Sequence, residues 1–100
     1  MTVEFPSDQG VFGISVAAEL TGVHPQTLRD YEAKGLLVPA RTTGGTRRFS
    51  HDDLDRIRRI TTLLAAGINL AGARHVLELE HETEQLRAEV QALRDQTDQP

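Results

Sequence analysis

The run Leu20-Thr21-Gly22-Val23-His24-Pro25-Gln26-Thr27-Leu28 gives the chain little freedom: one helix has to end at Gly22 and another has to begin at Pro25. Glycine closes a helix because it enters the left-handed region without strain, and proline opens one because the first helical residue needs no N–H donor. Only Gly22-Val23-His24 is left for the turn, so the pattern reads helix, tight turn, helix. In the first helix Ser15 is expected to offer its hydroxyl as N-cap to VAAELT, with Val16, Ala17 and Leu20 facing a core. The second, PQTLRDYEAKG, runs to Gly35. At about 100° per residue, Leu28, Tyr31 and Gly35 share one side with His24, while Gln26, Asp30, Ala33 and Lys34 face away and Thr27 and Arg29 flank the outer face. An apolar stripe that seats the helix and short or planar polar side chains near its N-terminus are what a major-groove recognition helix needs. A surface helix of any small bundle has the same periodicity, so the segments that follow must decide.

Residues 36–50, LLVPARTTGGTRRFS, read as two extended arms around a Gly44-Gly45 turn, a small β-hairpin. A hairpin after a recognition-type helix is the wing of a winged helix. Arg41, Arg47 and Arg48 on its arms can sit over phosphates, where guanidinium forks bind bidentately and fix register without reading sequence. Phe49 reads as the aromatic that anchors the hairpin to the domain, ahead of a base-stacking role.

Ser50-His51-Asp52-Asp53 has the spacing of a capping box and opens a helix with Leu54, Ile57, Ile60, Leu63 and Leu64 at helical intervals up to Gly67. Asn69 can cap the next helix. Its apolar residues fall on a heptad, with Val76 and Val90 at a, Leu79, Leu86 and Leu93 at d, and Thr83 interrupting at a. A helix from 70 to 95 is about 39 Å long, too long for its far half to lie on a domain this small, so a second chain is the natural cover for that stripe.

The expected architecture is therefore mainly α: a winged helix-turn-helix domain with a small β-hairpin wing, then a long C-terminal dimerisation helix. Residues 1–10 read as a flexible lead-in before a short β-prone VFGI, 11–68 as the DNA-binding domain, 69–95 as the dimerisation helix and 96–100 as a disordered tail.

Charge is distributed in a way that supports this. The net charge is -4, but residues 61–100 hold three arginines against seven acids, whereas residues 24–60 hold eight basic side chains, including Arg56, Arg58 and Arg59, against five acidic ones. Any anion-binding face lies in that middle segment. With 0 cysteines there is no disulfide framework and no thiolate metal site. His24, His51, His75 and His81 show no i, i+4 pairing and read as surface or capping residues, so neither metal nor cofactor is expected. No activated nucleophile and no phosphate-cradling glycine loop is present, which argues against an enzyme. No apolar run nears the roughly 18 residues of a membrane span, and the first residues lack a leader pattern, so a cytoplasmic protein is expected.

The motifs LTGV-x-P-x-TLR-x-YE-x-x-GL, R-T-x-G-x-x-R-x-F-S-x-x-D-L and GINL, spread over about residues 12–80, resemble the MerR family of bacterial transcription regulators. SVAAELTGVHPQTLR and GINLAG are most similar to its heat-shock repressor branch, HspR. The resemblance implies a homodimer on a palindromic operator, with the second helix in the major groove and the wing on flanking phosphates. It places helix contacts on Gln26, Thr27, Arg29 and Tyr31, beside which Asp30 also faces outward, and wing contacts on Arg47 and Phe49. The branch implies repression of stress genes with the DnaK chaperone as co-repressor. Two positions depart: the family commonly has Ser or Thr where His24 stands, and often Tyr where Phe49 stands.

Two other classes fit parts of the pattern. A protein-interaction module acting through the coiled coil would suit the acidic balance, and an excisionase-like architectural factor would share the wing but not the heptads. The direction of the dimer helix is also open. The resemblance implies antiparallel helices, whereas a parallel pair would match Glu82 with Arg87 and Glu89 with Arg94 of the second chain. An antiparallel pair could instead match Glu80 with Arg94.

Overall fold

The computed structural model describes residues 5–98. In chain order it holds α1 (Ile14–Thr21), α2 (Pro25–Ala33), β1 (Ala40–Arg41), β2 (Arg47–Arg48), α3 (His51–Ala65) and α4 (Leu70–Thr97). This is the mainly helical architecture with a two-stranded wing and a long last helix that the sequence predicts. Among the described residues no helix is long and apolar enough to cross a membrane.

Local chemistry sets most boundaries. Gly22 ends α1 in the left-handed region and its N–H bonds the Ala18 carbonyl. Pro25 begins α2. At the far end of α2, Gly35 takes φ 76°, which lets its N–H reach the Glu32 carbonyl (3.0 Å) while Leu36 N–H reaches Tyr31 (2.9 Å). That double closure folds Leu36 back beside Tyr31 in the core, an arrangement a side chain at position 35 would strain. Ser50 and Asp53 form the reciprocal capping box of α3, at 3.0 and 2.8 Å. Asn69 Oδ1 accepts from Gly72 N–H (2.8 Å) to start α4.

The core is one cluster: Ala17 from α1, Leu28 and Tyr31 from α2, Leu36 and Leu37, Phe49, the stripe Leu54, Ile57, Ile60 and Leu63 of α3, and Ala73 and Leu77 from the foot of α4. Two expectations for α1 are corrected. Its N-cap is Gly13, with no side-chain cap bond, and Ser15 lies inside the helix, exposed. The helix starts two positions earlier than expected, and its inward face is Ile14, Ala17 and Ala18, at helical spacing, while Val16 and Leu20 are 44% and 48% exposed.

Where it is described, the lead-in is packed on the domain. Ser7 grips the start of α3, its carbonyl accepting from Asp52 N–H (2.9 Å) and its hydroxyl donating to the Asp52 carboxylate (3.3 Å). Beyond it, Phe12 and Phe49 pair antiparallel, with Phe49 N–H on Phe12 O at 2.7 Å and Phe12 N–H on Phe49 O at 3.0 Å. Between these ties Gly10 crosses the wing so closely that a Cβ there would lie 2.7 Å from the Arg48 carbonyl oxygen. The lead-in thus covers an edge of β2 that would otherwise be open. Residues 1–4 of the expected lead-in lie outside the described residues.

α4 has 28 residues, about 42 Å at 1.5 Å each, and only its first two turns are packed. From Glu78 to Asp98 every residue is exposed, including Leu79, Leu86, Val90 and Leu93. The helix runs through Thr97, with Asp98 N–H on the Arg94 carbonyl, so positions 96 and 97 of the expected tail are helical; residues 99–100 lie outside the described residues.

Candidate nucleic-acid interface

α2 and the wing form one continuous face. The outward side of α2 carries Gln26, Arg29, Asp30, Ala33 and Lys34, all exposed, with Thr27 half-buried beside them. Its N-terminus is closed by His24, whose Nδ1 accepts from Gln26 N–H at 3.0 Å. The imidazole thus does the work of the hydroxyl more common at this position. Pro25 has no N–H and Leu28 N–H bonds the His24 carbonyl (3.1 Å), so His24 takes one of the two first-turn donors that would otherwise lack a partner and leaves that of Thr27. Gln26 Nε2 donates to Asp30 Oδ1 at 3.1 Å, so Asp30 holds the amide extended along the helix. Among the described residues Arg29 and Lys34 have no ion-pair partner.

The wing is tied to this helix through one carboxylate. The register pairs Ala40 with Arg48 and Arg41 with Arg47, so Arg41 and Arg47 stand side by side on one face of the ribbon. Glu32 of α2 lies between them, 2.7 Å from Arg41 Nη2 and 2.9 Å from Arg47 Nε. Burial pushes the Glu32 carboxyl up, but the hydrogen bond and charge of Arg47, and then those of Arg41, outweigh it and hold the group below the usual range. Arg41 also donates from Nη1 to the Gly45 carbonyl at 2.9 Å, which braces the turn. Within that turn only Gly45, not Gly44, is left-handed (φ 85°), and Gly45 N–H closes on Thr42 O at 2.9 Å. Arg48, on the opposite face, turns Nη1 to the Arg47 carbonyl.

The structure sorts the sequence-predicted residues. Gln26, Arg29, Asp30, Arg41 and Arg47 reach the surface of this face, Thr27 reaches it in part, and Arg48 stands half-buried on the other face of the ribbon. Phe49 is 1% exposed and Tyr31 5%. Phe49 has no surface left for a base or a phosphate and acts only as the wing's anchor, which corrects the contact the resemblance placed on it. The Tyr31 ring belongs to the core and its pKa is raised by burial. Among the described residues no buried side-chain oxygen lacks a partner, so the Tyr31 hydroxyl, which has none, lies at solvent.

The middle segment's positive count is smaller in practice. Arg56 Nε donates to the Leu36 carbonyl, Arg58 Nη2 to the Leu20 carbonyl (3.2 Å) and Arg59 Nε to Glu80 (2.8 Å). Each ties α3 to a different part of the chain instead of serving an anion. Sequence reasoning missed these ties and missed Glu32. The signal for Glu32 was present: Arg41 and Arg47 are symmetric about Gly44, so a hairpin sets like charges opposite each other, which calls for a carboxylate between them.

A short helix, a tight turn, a second helix with an exposed polar face and a β-hairpin braced against it define a winged helix-turn-helix protein. The sequence pattern described as "MerR HTH family regulatory protein" matches residues 12–80, and the chain belongs to that family. It is 46% identical over 86 residues to the "Putative heat shock protein HspR" of Streptomyces coelicolor, covering 85% of this chain and 57% of that protein. It is 37% identical over 78 residues to the "HTH-type transcriptional regulator GlnR" of Bacillus anthracis, covering 77% and 60%. The chain therefore spans under two thirds of the length of either relative. Among solved structures it is similar to HiNmlR, "a MerR family regulator lacking the sensor domain, bound to promoter DNA", with TM-score 0.63 and 25% identity over 87% of this chain and 78% of that one. It is also similar to PbrR691 of Ralstonia metallidurans CH34 in complex with lead(II), with TM-score 0.69 and 29% identity over 87% and 72%.

Proposed function

We propose that the chain is a sequence-specific DNA-binding repressor of heat-shock genes that binds a palindromic operator as a homodimer. In this reading α2 enters the major groove, where Gln26 meets adenine and Arg29 guanine, and the wing sets Arg47 and Arg48 on phosphates of the flanking backbone. The observation that carries it is the single face on which Gln26 and Arg29 stand exposed beside a wing fixed to the same helix by Glu32. The likeness to HspR supports the heat-shock assignment, and the promoter-bound relative supports DNA as the ligand. The exposed stripe Leu79, Leu86, Val90 and Leu93 supports a second copy of α4 as the dimer partner, antiparallel by family resemblance. The same branch resemblance extends the proposal to the DnaK chaperone as co-repressor.

Selection from a randomised duplex pool tests the base-reading role. The wild-type chain should enrich a palindrome, and replacing Gln26 or Arg29 by Ala should relax one position per half-site, each worth about 1–3 kcal/mol. Unchanged preference after both substitutions removes the role from α2. Chaperone transcripts in a deletion strain test the regulation, since messages unchanged at normal temperature would exclude the heat-shock assignment.

A further inference from the structure

A carboxylate in the middle of a phosphate-facing surface is costly by charge alone. Glu32 lowers the positive potential of the wing it touches, and a surface built only for electrostatic affinity would not hold it there. Its geometry shows another use. Arg41 has both Nη groups engaged within the protein, Nη2 on Glu32 and Nη1 on the Gly45 carbonyl. Arg47 differs: Glu32 takes only its Nε, at 2.9 Å, and among the described residues no acceptor takes either Nη group. A guanidinium held at Nε presents its two Nη groups together, the edge that clasps a phosphate bidentately.

We propose that Glu32 is a positioning residue: by holding Nε of Arg47 it aims that side chain's Nη pair at one backbone phosphate, and Arg41 on the neighbouring strand balances its charge. This rests on the reading of the wing as a phosphate-binding element. Without Glu32, two guanidinium groups face each other across a ribbon of two residues per strand and repel. Arg47 then spreads over several rotamers and must be ordered again on binding. The carboxyl, held below its usual range between two arginines, stays ionised throughout the neutral range. Glu32 therefore gives up some affinity for any duplex in exchange for a fixed distance between the base-reading side chains of α2 and the phosphate held by the wing. Such a distance is met by a correctly placed operator and by few arbitrary registers.

A double-mutant cycle on the full chain tests this, using the duplex that the wild type selects from a randomised pool and a random duplex of equal length. Arg47→Ala should weaken binding to the selected duplex about tenfold in the wild type but threefold or less in Glu32→Gln, a non-additivity that direct coupling requires. Glu32→Gln should bind the random duplex as well as the wild type or better, while its preference for the selected duplex falls about fivefold or more. Glu32→Asp keeps the charge and shortens the reach, so it should also mute the Arg47→Ala effect; it carries the test if the glutamine variant melts early. Equal Arg47→Ala losses in all three backgrounds would overturn the proposal. A Glu32→Gln variant that gains the same factor on both duplexes would do so too, reducing Glu32 to a repulsive charge. If Arg47→Ala changes nothing in the wild type, the phosphate reading of the wing fails first and this inference with it.

Discussion

His24 departs from the hydroxyl common at its position and still serves as a cap. Accepting through Nδ1 puts the ring proton on Nε2, and the imidazole satisfies the N–H of Gln26, a residue of the proposed reading face. Losing an N-cap costs about 0.5–2 kcal/mol, so His24→Ala should lower the urea midpoint accordingly while His24→Asn restores it. Equal stability of the wild type and His24→Ala would show that the ring contributes nothing. Glu32 gives a second prediction at this scale, through pH. Its pKa is depressed in the fold, so its contribution to stability is present above the ordinary glutamate value of about 4.3 and is lost as pH falls through and below it. Wild type should therefore exceed Glu32→Gln in stability at neutral pH, and the gap should narrow progressively as pH falls below the ordinary glutamate value of about 4.3. A gap constant across that range in urea melts would mean that the two arginines do not stabilise the charged form.

Elements were legible wherever their signals are local. Gly22, Pro25, the Ser50–Asp53 box and Asn69 all act within a few residues of themselves, and each boundary fell where the residue's own chemistry put it. The stripe of α3 was legible because four of its five expected residues lie under one continuous roof of core and the fifth, Leu64, packs at its edge. Side chains whose partners lie far along the chain were not legible. Arg58 reaches a carbonyl 38 residues earlier and Ser7 a carboxylate 45 residues later, and no periodicity marks either pairing. The missed docking of the lead-in gives a third prediction. A Cβ at position 10 would meet backbone, not a flexible side-chain tip, so Gly10→Ala should force the lead-in off β2 and destabilise the domain by about 1–3 kcal/mol. A lead-in free of the wing would tolerate the change, and an unchanged unfolding midpoint would show that.

At the scale of the whole molecule, the foot of α4 belongs to the core and the remainder stands free. The heptad reading found the free part and missed Ala73 and Leu77, which are buried by this chain's own α3 and belong to no a or d position. Thr83, the interruption at a, turns its hydroxyl to the Leu79 carbonyl (2.8 Å), which hides its polarity from the stripe. Glu80 is already held by Arg59, so the antiparallel match of Glu80 with Arg94 has a competitor within the chain. Leu86→Asp should leave the domain's own stability unchanged, since Leu86 is 53% exposed, yet yield monomers in sedimentation. Dimers persisting in that variant would move the interface elsewhere. For antiparallel helices crossing near 86, labels at residue 93 should lie about 20 Å apart, and a short distance means parallel.

The two packed turns of α4, clasped by Arg59 on Glu80, also act as the fulcrum of a lever. From Leu77 to Thr97 the free arm measures about 30 Å, so a 5° tilt at its base moves its tip by about 2.6 Å, a distance comparable to the spacing of successive nucleotides along a DNA strand. In a dimer joined through these arms, small side-chain substitutions at the fulcrum would change how far apart two reading helices stand, without touching a residue that meets DNA.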